Sequence, residues 1–164
     1  MPPVTPSSTA TATALPLESE AIFSSLNAVL LGWLLLALAP RWRYTAGVTL
    51  ALGAGYSLLY AALALEAALE GDQPEGAGFG SLAAVQALFS KPRNVLAGWT
   101  HYIAYDLLIA RGAVLDSHTR GVPWMLMTAC LPLMLMVGPL GLVAYLGVAS
   151  FYPSPQSKLQ AKAE

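Results

Sequence analysis

The apolar residues of this chain fall into long runs separated by short polar breaks, and the runs predict membrane-crossing helices. Ala21 to Ala39 is almost unbroken apolar sequence, enough for about 28 Å of helix. Asn27 is its one strongly polar interior residue; Glu18, Ser19 and Glu20 suit its N-terminus and Pro40 ends it. Arg41-Trp42-Arg43-Tyr44 then forms an interfacial turn, with arginines that snorkel and rings that suit the headgroup layer. A second run, about 45–67, places Gly47, Ala51 and Gly55 every four residues, a small-residue stripe that predicts close helix approach. Tyr56 and Tyr60 lie four apart on another face, where their hydroxyls need partners.

Gly71 to Gly80 is rich in turn residues, and Ser81 to Ser90 is apolar but too short to span, so it reads as an interfacial or re-entrant helix. Lys91-Pro92-Arg93-Asn94 starts a third span, about 94–111. Arg111 to Gly121, with Asp116, His118 and Arg120, reads as a polar turn. A fourth span, about 122–148, is interrupted by Pro132 and Pro139, and Gly138-Pro139-Leu140-Gly141 predicts a kink or a close crossing. The expected fold is therefore all-α: a polytopic integral membrane four-helix bundle with a short extra helix before the third span. It occupies residues 21–152, between a disordered tail (1–20) and a polar tail (153–164). Four crossings put both ends on one side. The Lys and Arg count ties, with Arg41, Arg43, Arg111 and Arg120 against Lys91, Arg93, Lys158 and Lys162; the arginines directly after the first helix favour both ends outside the cytoplasm.

Composition narrows the class. Hydrophobic residues make up 56% of the 164 and charged residues only 10%, against about a quarter charged in a soluble domain. A net charge of -1 and no basic tract exclude a nucleic-acid partner, leaving membrane lipid as the first partner. Cys130 stands alone within an apolar run and reads as a packed small residue.

Chemistry concentrates in the third span. Trp99, Tyr102 and Asp106 share one row of the helix, His101 and Tyr105 the next. Lipid offers no hydrogen-bond partners, so this face is expected to point into the bundle. An Asp at the centre of a span costs about 2.5–3.5 kcal/mol on insertion scales. As interhelical glue, with Asp106 bonded to Asn27 or Tyr56, such groups return only about 0.6 kcal/mol each. Burial in general disfavours the charged form of a carboxyl or an imidazole, and a pair of such groups inside a span would suit acid/base work. Arg111 is placed to snorkel rather than to pair with Asp106. A metal is not expected: His101, Asp106, Asp116 and His118 supply donor atoms but no ligand spacing. No second intramembrane histidine provides for haem, and no nucleotide or G-x-S-x-G motif occurs, so no cofactor is implied. Trp42, Trp99 and Trp124 fall near predicted edges, as belt anchors do.

Leu88-Phe89-Ser90, then Ala97-Gly98-Trp99-x-His101, Asp106-Leu107, Ala110-Arg111 and Asp116, resemble the abscisic acid-deficient four family of small four-span membrane proteins. Gly138-Pro139-Leu140-Gly141 resembles its C-terminal motif and Phe23-Ser24-x-x-Asn27 its first span, so the likeness runs from about 22 to 148. The plant members act in neoxanthin synthesis, turning an epoxide end group of violaxanthin into an allenic alcohol. The resemblance thus implies a carotenoid or related isoprenoid ligand and a cofactor-independent isomerase. A proton must reach the epoxide oxygen and another must leave a carbon beside the ring. Asp106 is the first choice for acid or base, with His101 its partner. Tyr102 or Tyr105 would orient the oxygen, Trp99 and Asn27 would support it, and Arg111 and Asp116 would close one end. The chain lacks the long leader of a plastid protein, so a bacterial inner membrane is the expected setting. A carotenoid-binding accessory protein without chemistry and a small transporter are the competing functions. Homo-oligomerisation is left open.

Overall fold

The computed structural model describes residues 19–154, all helix and turn. Six helical segments follow in order: α1 (Ser19–Ser25), joined by a 3-10 turn (Leu26–Ala28) to α2 (Val29–Leu38), then α3 (Thr45–Glu70), α4 (Leu82–Leu88), α5 (Pro92–Arg120) and α6 (Trp124–Ser150). Three stretches are long and apolar enough to cross a membrane: Ser19–Leu38, Thr45–Glu70 and Trp124–Ser150. Glu18 and the tail before it lie outside the described residues, as does the tail after Ser154.

The pair α3–α5 is the spine. The two run antiparallel over their whole length: Glu66 meets Arg93 at one end, Tyr60 meets His101, and the Arg111 guanidinium donates to Ala46 O at the other end (2.9 Å). Close approach comes from Thr45, Thr49 and Gly53, all buried. The hydroxyls of Thr45 and Thr49 donate to Ala39 O and Thr45 O, leaving only small apolar surface towards α5. At Gly53 a Cβ would stand 2.5 Å from Leu108 Cδ2. The stripe expected at Gly47, Ala51 and Gly55 is instead exposed, with no atom within 4 Å of a Cβ at either glycine. Four-residue spacing marked the right kind of contact on the wrong face, because threonines that bond their own backbone also count as small. The other side of α5 receives α2, whose Gly32 lies against Leu107.

Two segments differ from the expected layout. The Arg111–Gly121 turn is helical: α5 runs on to Arg120, where Gly121, in the left-handed region (φ 75°), stops it with bonds to His118 O and Ser117 O. The fourth span is not one rod. Val137 (φ -139°, ψ 37°) and Gly138 (φ 5°, ψ -77°) break α6, and the chain turns back on itself. A Cβ on Gly141 would collide with the backbone of Met134, seven residues earlier, whereas a straight helix would carry the two about 10 Å apart. The returning half brings the Tyr145 hydroxyl to Asp116 Oδ2 (2.6 Å) and Tyr152 O to Arg120. Trp124, at the start of α6, donates to Ala37 O. Residues 124–136 and 139–150 are therefore two half-helices side by side, both against the C-terminal part of α5. They share one core of Trp33, Leu107, Val114, Met127, Cys130, Met134, Tyr145 and Ala149. Cys130 is buried there, as a packed small residue should be.

Proline explains where the reversal falls. Pro139 has no N–H for Leu135 O and its ring crowds that carbonyl. The Tyr102 hydroxyl donates to Leu135 O (3.4 Å) instead. Because Gly141 faces backbone that cannot yield, Gly141→Ala is expected to cost about 1–3 kcal/mol or more. In detergent it should lower Tm and the monodisperse yield, while Gly47→Ala, in open space, leaves both unchanged; equal effects from the two would refute the hairpin packing.

Candidate functional site

The hairpin of α6 covers only part of α5. Its turn reaches the level of Asp106, where a Cβ on Gly138 would stand 2.8 Å from Asp106 Oδ1. The N-terminal half of α5 has nothing over its outer face. Trp99, His101, Tyr102 and Tyr105 are therefore exposed on the surface of the bundle, against the expectation that they point inward. The inward side of this half is Leu96, Ala97, Thr100 and Ala104, all buried. Small residues won the interior because α3 has to pack closely there; the rings were left outside.

The rings form two linked groups. His101 packs on Tyr60 (centroids 4.9 Å apart) and stacks on Tyr105 (5.6 Å, 13° between planes). Trp99 meets Tyr102 (5.5 Å) and Phe23 of α1 (6.4 Å). Asp106 lies beyond the second group, partly buried beneath the α6 turn. Its Oδ2 is shielded and has no hydrogen-bond partner. His101 and Asp106 are five residues apart, about 140° around the helix, and no hydrogen bond joins them among the described residues.

A cavity of about 580 Å³ opens beside His101, between α3, α4 and α5. Its walls are mostly apolar, with Ala64, Ala68, Phe79, Leu88 and Phe89, and Tyr60 and His101 stand at its inner end. Gln73 and Asn94 line it nearer the α4 end. They are fixed: Asn94 Nδ2 donates to Gln73 Oε1 and Leu88 O (both 2.8 Å), and Gln73 Nε2 donates to Ala67 O. The Phe89 ring rests on Gly98, where a Cβ would come within 2.7 Å of it. The short apolar stretch expected before the third span is α4, capped by Ser81 Oγ on the Ala84 N–H, and it forms the outer wall. Such volume and lining are ordinary for a site holding a drug-sized apolar ligand.

The remaining predicted residues lie elsewhere. Asn27 sits in the 3-10 turn and is exposed. Arg111 Nε donates to Ala46 O of α3, and Asp116 is held by Arg120 Nε and Tyr145 Oη (both 2.6 Å). Arg111 and Asp116 therefore close the far end of the bundle and do not touch the cavity. Residues that sequence reasoning passed over are Tyr60, Phe89, Asn94 and Gly98. Tyr60 gave a signal as a phenol on a membrane helix in need of a partner, and Phe89 and Gly98 stood in the motifs that carry the family resemblance without being singled out as site residues. Among the described residues no cluster of three or more metal-ligating side chains occurs.

The model of the ABA DEFICIENT 4-like family matches residues 21–145, which takes in the cavity, the ring face and the first part of the returning half-helix. This chain belongs to the ABA DEFICIENT 4-like family. No curated protein and no solved structure matches it. The family segment ends at Tyr145, the residue that ties the α6 hairpin to Asp116.

Two groups at the far end tie the fold to pH, Asp116 through its bond to the hairpin and His118 beside Arg41. Burial alone would raise Asp116, but the Tyr145 hydroxyl and the Arg120 guanidinium outweigh it and hold the carboxyl below the usual range. Burial, aided by the charge of Arg41, holds the His118 imidazole below its ordinary value. Both groups bind fewer protons folded than unfolded, so both stabilise the fold at higher pH and lose that contribution as pH falls. His118 should begin to weaken the fold below about pH 6.5 and Asp116 below about pH 4. Thermal unfolding in detergent from pH 8 to 4 should show the first decline, and His118→Gln should abolish it; an unchanged decline in that variant would refute the assignment.

Proposed function

We propose that this protein binds the end group of a carotenoid or related isoprenoid lipid in the α3–α4–α5 cavity and isomerises it by acid/base chemistry. The observation that carries the reading is the cavity itself: an apolar recess whose inner end presents His101, the one imidazole among its lining side chains, a group able both to give and to take a proton. Membership of a family whose plant members act in neoxanthin synthesis supports the substrate class.

In such a reaction a proton moves to an epoxide oxygen as the C–O bond opens. A neighbouring carbon gives up its proton, its C–H electrons form the new double bond, and no electrons are exchanged with a cofactor. His101 serves as acid or base at the end group. The hydroxyls of Tyr60 and Tyr105, whose rings pack on the imidazole, orient the oxygen. The polyene lies along the outward ring face towards Trp99 and Tyr102. Asp106, with an unpartnered oxygen at the far side of that face, is the second candidate for proton transfer.

One observation favours a second reading. His101 and Asp106 point to different sides of α5, which suits an accessory protein that holds a carotenoid without changing it. The two readings part in a host that accumulates an epoxy-carotenoid, with pigments separated by chromatography. Acid/base catalysis predicts a new isomer, lost by about 100-fold or more in His101→Ala while protein level holds. Asp106→Asn, which keeps the shape beside Gly138, should also lower product. Gly98→Val, which drives the Phe89 ring into the cavity, should lower both product and bound pigment. Full conversion by His101→Ala would refute catalysis at this site; co-purified pigment without any isomer would establish the binding reading instead.

A further inference from the structure

The α6 hairpin changes which side of the membrane each end of the bundle faces. Arg41, Arg43, Arg111 and Arg120 gather at one end of the bundle, where α5 finishes and α6 begins. Among the described residues Arg120 alone of these four has a carboxylate partner, Asp116. Lys91 and Arg93 stand at the other end, and both are neutralised: Lys91 by Glu70 (2.9 Å) and Arg93 by Glu66 (2.7 Å). A straight α6 would have delivered the chain after Ser150 to the Lys91 end. Because the chain reverses at Val137 and Gly138, Tyr152 instead accepts from Arg120, and Ser154 lies at the arginine end. Lys158 and Lys162, outside the described residues, no longer balance the count. What remains is four basic residues against two, and short flanking segments rich in Arg and Lys stay in the cytoplasm.

We infer that the chain crosses the membrane three times with its arginine end in the cytoplasm, so that the cavity at His101 draws its ligand from the outer leaflet. The crossings are Ser19–Leu38, Thr45–Glu70 and α5; α6 enters from the cytoplasmic side and leaves by it. The cavity belongs to the opposite half. Its lining runs from Gln73, Phe79 and Asn94, at the Lys91 end, inward to His101, seven residues or about 10 Å along α5 from Asn94. Its outer wall, α4 with the loop before it, exposes Leu82 and Phe79, the pattern of a segment resting in a headgroup layer. The hairpin fills only the cytoplasmic half of the outer face of α5, so the lateral opening to lipid is in the outer half alone. The crossings do not depend on the isoprenoid reading; the ligand's route does.

Single cysteines in the full chain test both parts, with the buried Cys130 changed to Ala. In bacterial spheroplasts a membrane-impermeant maleimide should label Glu75→Cys, in the α3–α4 loop, and should reach Pro153→Cys only after permeabilisation. Labelling of both from outside would restore an even number of crossings, and the reverse pattern would invert the protein; either result overturns the inference. Ala68→Cys, on the cavity wall, reads the route. Violaxanthin delivered to intact spheroplasts from cyclodextrin should slow its labelling by about fivefold or more. Protection seen only after permeabilisation would overturn outer-leaflet access while sparing the isoprenoid reading. Protection in neither state would sink the isoprenoid reading and leave the topology standing on the first two cysteines.

Discussion

A helix that breaks inside a membrane must find protein partners for the backbone groups it releases, and this constraint organises the molecule. The break at Val137 and Gly138 frees carbonyls at the end of one half-helix and amides at the start of the next. Tyr102 supplies a donor to Leu135 O on the first side. On the second side no freed amide donates to Asp106 among the described residues, but its carboxylate is packed where Gly138 leaves no side chain and where the half-helix beginning at Pro139 presents the positive end of its dipole. A carboxylate in such a position gains about 0.3–1 kcal/mol, and up to about 2 when partly buried. That offsets much of the cost of placing an Asp in the bilayer. Asp106 and the reversal of α6 thus account for each other.

The reversal also makes the two ends of the bundle unlike. Where both half-helices lie against α5, the interior is a packed core closed by the Asp116–Tyr145–Arg120 contacts. Where they do not reach, α5 is covered by α3 on one side and by α1 on another, and its remaining face is open. The cavity, the stacked imidazole and the exposed tryptophan all belong to that uncovered half.

The chain's apolar runs disclosed the helices and most of their ends, because a bilayer sets both length and composition. Gly138-Pro139 announced a disturbance in α6, yet the difference between a kink and a full reversal is not local. It depends on Gly141 lying against Met134 and on Tyr145 reaching Asp116, contacts that no periodicity records. The helical row of Trp99, Tyr102 and Asp106 was legible; its direction was not, since the argument that polar groups avoid lipid ignores the need for small residues between α3 and α5. Arg111 behaved as its position near an apolar boundary required. Residues 111–120 continued as helix because Ala113, Val114 and Ser117 had a buried face to present, which their polar neighbours concealed.

The outward face also bears on whether the polar groups of α5 only hold the bundle together. Residues that do hold it are identifiable: Arg93 on Glu66, Asn94 on Gln73, Arg111 on Ala46 O and Asp116 on Tyr145, each a direct bond to another segment. Among the described residues Trp99, His101 and Tyr105 form no such bond, and Trp99 and Tyr105 are 47% and 58% exposed. Of the face's five members, Tyr102 and Asp106 lie at the α6 break, while Trp99 and His101 meet neighbouring segments through their rings, on Phe23 and Tyr60. His101 lies on the outward surface, packed on the Tyr60 and Tyr105 rings at the inner end of an apolar recess, and that placement is what the proposed binding of a ligand there rests on.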